Sequence, residues 1–168
     1  MQKITRAIGV GIVATALFGA TTVSASAGDT TTTFALAGGT LSVAAAGSAA
    51  LTAGNSGATS VSGALGDVVV TDNRGGVTGW SVKASTSAFT NTTTSSTGVS
   101  YVTGTVAKTG IVTATGGTKA LTAVAVEVVG GTLVEGNNTA TWNPTLTVTL
   151  PASSTAGTYT GTITTSVA

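Results

Sequence analysis

Residues 70–85 of the chain are VTDNRGGVTGWSVKAS, and this stretch places a strand, a turn and a second strand in close succession. The run DVVVT at residues 67–71 is apolar enough for a central strand, and Trp80, Val82 and Ala84 then alternate with polar residues. Alternation with a period of two is the signature of a half-buried strand. Between the two segments, Asp, Asn and Gly residues favour a turn. The stretch therefore predicts two strands joined by a tight connection.

The same alternation recurs along the chain and sets the fold class. We count about eight to ten short segments with a turn signal roughly every ten residues, a spacing typical of antiparallel sandwiches and barrels. We therefore expect an all-β protein, an antiparallel β-sandwich first and a barrel as the second choice. The other apolar positions that define segments are Phe34, Leu36, Leu41, Val43, Val61, Val124, Val126, Val128, Leu146, Val148, Leu150, Tyr159, Ile163 and Val167. The Ser- and Thr-rich residues 85–98 are expected to form an exposed loop or ragged edge, with local disorder as the alternative.

The N-terminus has the pattern of a secretory signal peptide. Lys3 and Arg6 precede the apolar residues 7–20, and the small residues Ala-Ser-Ala follow at 25–27. The apolar run is shorter than the roughly 20 residues that span a bilayer. We therefore expect residues 1–27 to be cleaved and residues 28–168 to form a single exported domain that is free of the membrane, with an N-terminal anchor as the alternative.

The composition argues against several classes of function. Without the signal segment, four basic residues remain against five acidic ones, so the chain has no basic surface for nucleic acid. The chain has no His and no Cys. It therefore lacks the commonest general base, the commonest zinc ligand and any disulfide. We expect no cofactor and no metal site.

Asp67, Asp72 and Arg74 belong to the densest polar group in the sequence. An acid–base pair of Asp67 and Asp72 is disfavoured, because residues five apart in a regular strand point to opposite faces. A calcium site is also disfavoured, because the spaced carboxylates that hard cations prefer are missing. We expect instead a turn in which Arg74 pairs with Asp72 at the surface and Gly75 and Gly76 adopt positive φ. The protein is accordingly predicted not to be an enzyme.

Three aromatic residues are the candidate ligand contacts. An exposed indole ring can stack on a sugar, whereas a buried one fills the core. Trp80 alternates with Val82, which favours burial, while Trp142 precedes Asn143-Pro144 at an expected strand edge, where exposure is more plausible. Trp80, Trp142 and Tyr159 are therefore the candidate binding residues.

Residues 70–85 resemble the proximal motif of WxL-domain proteins, which are surface proteins of Gram-positive bacteria. That motif has an Asp-x-Arg segment, a Gly-rich stretch and Gly-Trp-x-Leu/Val. Asp72, Arg74, Gly79, Trp80 and Val82 stand in those places.

The C-terminal residues YTGTITTSV are similar to the distal motif of the same family. Tyr159 and Ile163 match it, Thr165 stands where the family has Trp, and Val167 stands where it has Leu. The resemblance spans the chain from about Thr31 onward. It implies an immunoglobulin-like β module that attaches non-covalently to the cell wall through peptidoglycan.

The expected function is therefore a secreted, extracellular module that associates with peptidoglycan or another cell-wall glycan. The low charge and the Thr-rich strands also suit a different function, a self-assembling subunit of a surface layer or fibre. Its partners would be further copies of the chain. Other surface proteins stay open as partners.

Overall fold

The structure is a computed structural model that describes residues 28–168. The predicted signal peptide lies outside the described residues. A compact unit covers Leu36–Ala168, and a separate unit ends at Ala35. No strand lies between residues 28 and 40, where Phe34 and Leu36 are both almost fully exposed. The strand predicted around these two residues is therefore wrong, because alternation forms a strand only where a neighbouring strand pairs with it.

The described residues form ten strands and no helix, and every strand pair is antiparallel. The prediction of an all-β fold is confirmed. The strands are β1 (Leu41–Ala45), β2 (Ser60–Ala64), β3 (Val68–Asp72), β4 (Trp80–Thr86), β5 (Gly98–Val102), β6 (Ala107–Gly116), β7 (Thr118–Leu121), β8 (Val126–Trp142), β9 (Thr145–Thr149) and β10 (Ile163–Val167).

The strands build two sheets. The larger sheet has the order β1-β3-β8-β4-β10, with β6 also pairing with β8, and the smaller sheet has the order β2-β9-β5-β7. The 17-residue β8 organises the larger sheet. β3 pairs with residues 138–142 of β8 and β4 pairs with residues 126–131, so β3 and β4 follow one another along β8. Residues 73–79 connect them beside the middle of β8.

The core lies between the buried faces of the two sheets. Trp80, Val82 and Ala84 are buried, as their alternation predicts, and so are Leu146 and Val148 of β9 and Leu150, which directly follows β9. Val124 is 74% exposed, so its predicted place on a strand face with Val126 and Val128 is wrong. The chain turns between Leu121 and Val126, and Val124 lies in that turn.

Residues 87–97 of the Ser- and Thr-rich stretch form a folded loop, consistent with the loop prediction, whereas residues 85–86 end β4 and residue 98 begins β5. Thr90 pairs with both Ser95 and Thr160. The side-chain oxygen of Asn91 accepts hydrogen bonds from the backbone N–H groups of Thr93 and Thr94, at 2.9 and 2.7 Å. An Asn side chain that bonds to nearby backbone groups stabilises a turn without neighbouring strands.

Trp142 lies in the core and is 2% exposed, so the expectation of an exposed indole ring at this position is wrong. β8 continues to Trp142, and the next proline, Pro144, is itself buried. The Trp142 indole N–H donates to the hydroxyl of the buried Tyr101 at 2.9 Å. Burial raises the pKa of Tyr101 and the hydrogen bond from Trp142 lowers it, with burial the larger effect.

Tyr101→Phe should lower the free energy of unfolding by about 1 kcal/mol, because it leaves the buried Trp142 N–H without an acceptor. Urea denaturation measures the change. Tyr159→Phe is the matched control, since its hydroxyl donates to the backbone oxygen of Thr155 in an exposed contact. The control should change stability by less than about 0.5 kcal/mol. Equal losses in both variants would contradict the role of the buried hydrogen bond.

Candidate functional site

Asp72 and Arg74 form a bidentate ion pair at the end of β3. The Arg74 Nε and Nη2 groups donate to the two Asp72 carboxylate oxygens, both at 2.9 Å, and the Arg74 backbone N–H donates to Oδ1 at 3.1 Å. The Asp72 side chain is only 2% exposed and that of Arg74 is 29% exposed. The predicted pair is therefore present, but its placement at the surface is wrong, because Asp72 ends a strand whose alternate residues face the core.

The ion pair continues into a buried polar network. The Asn138 side-chain N–H group donates to Asp72 Oδ2 at 3.4 Å, and the Asn138 oxygen accepts from the Trp80 indole N–H at 3.1 Å. Hydrogen bonds from Arg74 hold the pKa of Asp72 below its usual value, although burial acts in the opposite direction. The network therefore favours the ionised carboxylate and fixes the orientation of the Trp80 ring.

Arg74 also holds the connecting loop, residues 73–79. Its Nη2 group donates to the backbone oxygens of Thr78 and Gly79, at 3.0 and 3.2 Å. Gly75 has a φ of 68°, as predicted, whereas Gly76 does not adopt positive φ and that part of the prediction is wrong. A Cβ at Gly79 would lie 2.6 Å from the backbone oxygen of Gly131, so a residue without a side chain is needed there.

The fold does not bring Asp67 and Asp72 together as an acid–base pair. Asp67 is exposed before the start of β3 and Asp72 is buried at its end. The two residues are five positions apart, and an extended strand of that length separates their Cα atoms by about 16 Å. The pairs of carboxylates in glycosidases are about 5–9.5 Å apart. The contacts of Asp72 with Arg74 and Asn138 indicate a structural role, in which Asp72 links the 73–79 loop to β8.

A second feature is a groove of about 560 Å³ on the surface of the Leu36–Ala168 unit. Its walls are residues 49–58 and 154–161, and its other lining residues are Val61, Phe89, Val148 and Leu150. None of these residues is charged. The walls contribute Thr, Ser and Asn side chains, and Phe89 and Tyr159 are the aromatic residues. An apolar concavity with a few polar groups is typical of a ligand site.

Tyr159 is the candidate binding residue that the structure places in this groove. Its side chain is half-buried, and its hydroxyl donates to the backbone oxygen of Thr155 at 3.0 Å. The other candidates, Trp80 and Trp142, are 4% and 2% exposed and lie outside the groove. The structure therefore separates Tyr159 from the two indole rings.

The residues of the distal motif occupy β10 and the segment that leads into it. Ile163, Thr165 and Val167 are half-buried and alternate with exposed residues, so they share one face of β10. Ile163 and Thr165 line a smaller cavity of about 200 Å³ that also contacts Tyr101 and Leu146. Thr165 therefore faces the interior.

Several residues of these sites were not identified from the sequence. Asn138 and Gly131 contact Trp80 from far along the chain, and no local pattern marks them. Phe89 and the Ala- and Gly-rich residues 49–58 have no strand pattern, yet they line the groove. The one local signal for Phe89 is that it is an aromatic residue within a polar loop.

Comparison of the chain with protein-family models, curated proteins and solved structures found no match in any of the three. In the part of the chain that the structure describes, no helix is long and apolar enough to cross a membrane.

Proposed function

We propose that the protein is a secreted, non-enzymatic module of the bacterial cell surface that binds cell-wall glycan, peptidoglycan first, in the groove beside Tyr159. The observation that carries this proposal is the absence of charge from the groove lining, together with its two aromatic rings and its hydroxyl and amide groups. Neutral sugars offer the matching chemistry, with apolar ring faces for stacking and hydroxyl groups for hydrogen bonds. The resemblance to WxL-domain proteins and the signal-peptide pattern support the cell wall as the location.

Co-sedimentation with purified peptidoglycan tests this proposal. We expect residues 28–168 to pellet with the polymer, and Tyr159→Ala to weaken binding about tenfold, which corresponds to 1.4 kcal/mol. Ala156→Arg, which places a long charged side chain at an exposed position of the groove wall, should abolish binding. Val124→Asp changes an exposed residue outside the groove lining and is the control. Full recovery of the unmodified protein in the supernatant would contradict the proposal.

A second candidate function is a self-assembling structural subunit of a surface layer or fibre. The observation that favours it is a set of large apolar side chains left exposed on the Leu36–Ala168 unit, among them Val77 and Leu133 at 78% each. Exposed apolar surface that groups into patches marks interaction sites. The near balance of acidic and basic residues also favours association.

A further inference from the structure

Three exposed aliphatic side chains lie around the middle of β8. Val77 is 78% exposed, Ile111 57% and Leu133 78%. Their strand neighbours Val112 and Val134 are buried, so Ile111 and Leu133 point away from the core. We call Val77, Ile111 and Leu133 the apolar ridge.

Pairing along β8 brings the members of the ridge into one region. On one side of β8, the Gly136 N–H donates to the Gly76 oxygen at 3.0 Å, which places Val77 beside the 133–135 stretch. On the other side, Ile111 is the register partner of Glu135. Val77 and Ile111 therefore flank the 133–136 stretch of β8 from opposite sides of the strand.

The backbone of Leu133 is held in an unusual conformation. It is the one non-glycine residue with positive φ, 50°, among the described residues. A bulky residue in the left-handed region costs roughly 1–2 kcal/mol, and such residues cluster at functional positions. In the single copy this conformation leaves the Leu133 side chain 78% exposed to solvent. A partner that covers the Leu133 side chain would supply apolar contacts that offset the cost of this backbone conformation.

The ridge and the groove lie at opposite ends of the same strands. β4 begins at Trp80, directly after the loop that carries Val77, and Phe89 of the groove follows the end of β4. β10 runs antiparallel to β4, and the groove residues 154–161 precede it. A seven-residue strand is about 23 Å long. One copy therefore presents an apolar projection at one end and an uncharged concavity at the other.

We infer that the apolar ridge of one copy docks into the groove of the next copy, head to tail. A groove of about 560 Å³ is large enough for several aliphatic side chains, and neither its lining nor the three ridge residues carry charge. Glu135 lies beside Ile111 and is exposed, so it would stay at the solvated rim. The interface joins two different surfaces, and such contacts generate open filaments when the rotation does not close a ring.

This assembly goes beyond glycan binding and is compatible with it. In a head-to-tail filament every groove but one is filled, and the free groove at one end can hold the wall polymer. The ridge is required for assembly alone, whereas the groove is required for both functions. Variants in the two surfaces therefore separate the two proposals.

Light scattering and sedimentation over a range of concentrations, with electron microscopy, test the assembly on residues 28–168. The unmodified protein should associate as concentration rises. Leu133→Asp and Ala156→Arg should each stay monomeric, because one lacks the ridge and the other lacks the groove. An equimolar mixture of the two variants should form a one-to-one dimer and stop there, since only one intact ridge and one intact groove remain.

Two further variants test whether a loss of association could come from misfolding or from any charge added at the surface. Leu133→Gly removes the apolar side chain and suits positive φ, so it should fold as well as the unmodified protein and still stay monomeric. Val77→Asp should weaken association, whereas Val124→Asp, at a residue of the same type and similar exposure, should not.

The outcomes decide the inference separately from glycan binding. A monomeric unmodified protein at all concentrations, unchanged association of Leu133→Gly, or a mixture of the two blocked variants that stays monomeric would each overturn it. Retained peptidoglycan binding by Leu133→Asp with loss of association supports it. Association without peptidoglycan binding would leave the assembly standing and reject the glycan proposal alone.

Discussion

Gly131→Ala should lower the free energy of unfolding by about 3 kcal/mol, the upper end of the cost of overpacking a core. A Cβ at Gly131 would overlap the ring atoms of Trp80, which packs directly against the β8 backbone. The ring cannot move aside easily, because its N–H is bound to Asn138 and Trp80 is 4% exposed. Urea denaturation followed by tryptophan fluorescence measures the loss.

Gly130→Ala is the matched control for this substitution. Gly130 precedes Gly131 in β8, and a Cβ there would meet only the end of the Glu127 side chain, at 3.0 Å. The Glu127 side chain is exposed, and the hydrogen bond that it accepts from the Ser81 hydroxyl at 2.6 Å also lies at the surface, so the control should change stability by less than about 0.5 kcal/mol. A similar loss in both variants would show that any side chain at this point of β8 lowers the stability. It would contradict a specific overlap with Trp80.

A double-mutant cycle tests the contact itself. Trp80→Leu leaves space above Gly131, so adding Gly131→Ala to Trp80→Leu should cost much less than adding it to the unmodified protein. Residues in direct contact show coupling energies of about 0.5–3 kcal/mol. Additive losses would mean that Gly131 and Trp80 do not constrain each other.

The fold class could be predicted because short-range alternation carries the information. Trp80, Val82 and Ala84 alternate over one strand, and the same is true of Leu146 and Val148. Burial of one face of a strand requires this period, whichever strands become its neighbours. The same logic fails for residues 31–36, where an alternating segment has no strand to pair with.

The longest strand could not be predicted because its residues are turn formers. β8 contains Gly130, Gly131, Gly136 and Asn138, which mark turns when only local preference is considered. In the fold, Gly136 adopts a φ of 68° within an irregular stretch. Gly131 leaves room for the Trp80 ring, and Asn138 accepts a hydrogen bond from the Trp80 indole N–H. The requirement for these residues comes from a partner about 50 or more positions away. Tertiary contact overrides the local signal.

The candidate site, like the fold, could be predicted only where its residues lie close together in the sequence. Asp72 and Arg74 are two residues apart, so their pairing is a local event, and it is present. Asn138, the third member, comes from β8, and its contact with Asp72 extends the pair into a buried network. Proline near Trp142 suggested an exposed edge, but Pro144 is buried and its oxygen accepts from the Leu65 N–H at 2.9 Å. Only the neighbouring strands reveal that this end of β8 is covered.

Arg74→Ala should lower the free energy of unfolding at pH 7 by about 3 kcal/mol, because it removes the charged partner of a buried carboxylate. The variant leaves the buried Asp72 carboxylate with Asn138 as its remaining side-chain partner. It also frees the backbone oxygens of Thr78 and Gly79, so the loop that carries Val77 should loosen. Lys119→Ala removes a positive charge from an exposed position and is the control.

The pH dependence separates the ion pair from simple loss of packing. Arg74 lowers the pKa of folded Asp72, so its stabilisation is fully present above the unfolded value of about 3.9 and is lost as pH falls through the folded pKa. The difference in stability between the unmodified protein and Arg74→Ala should therefore be largest near neutral pH and shrink below about pH 4. Urea denaturation at a series of pH values measures it. A difference that is constant with pH would mean that Arg74 stabilises the loop through its backbone contacts alone, and that the charge of Asp72 contributes nothing.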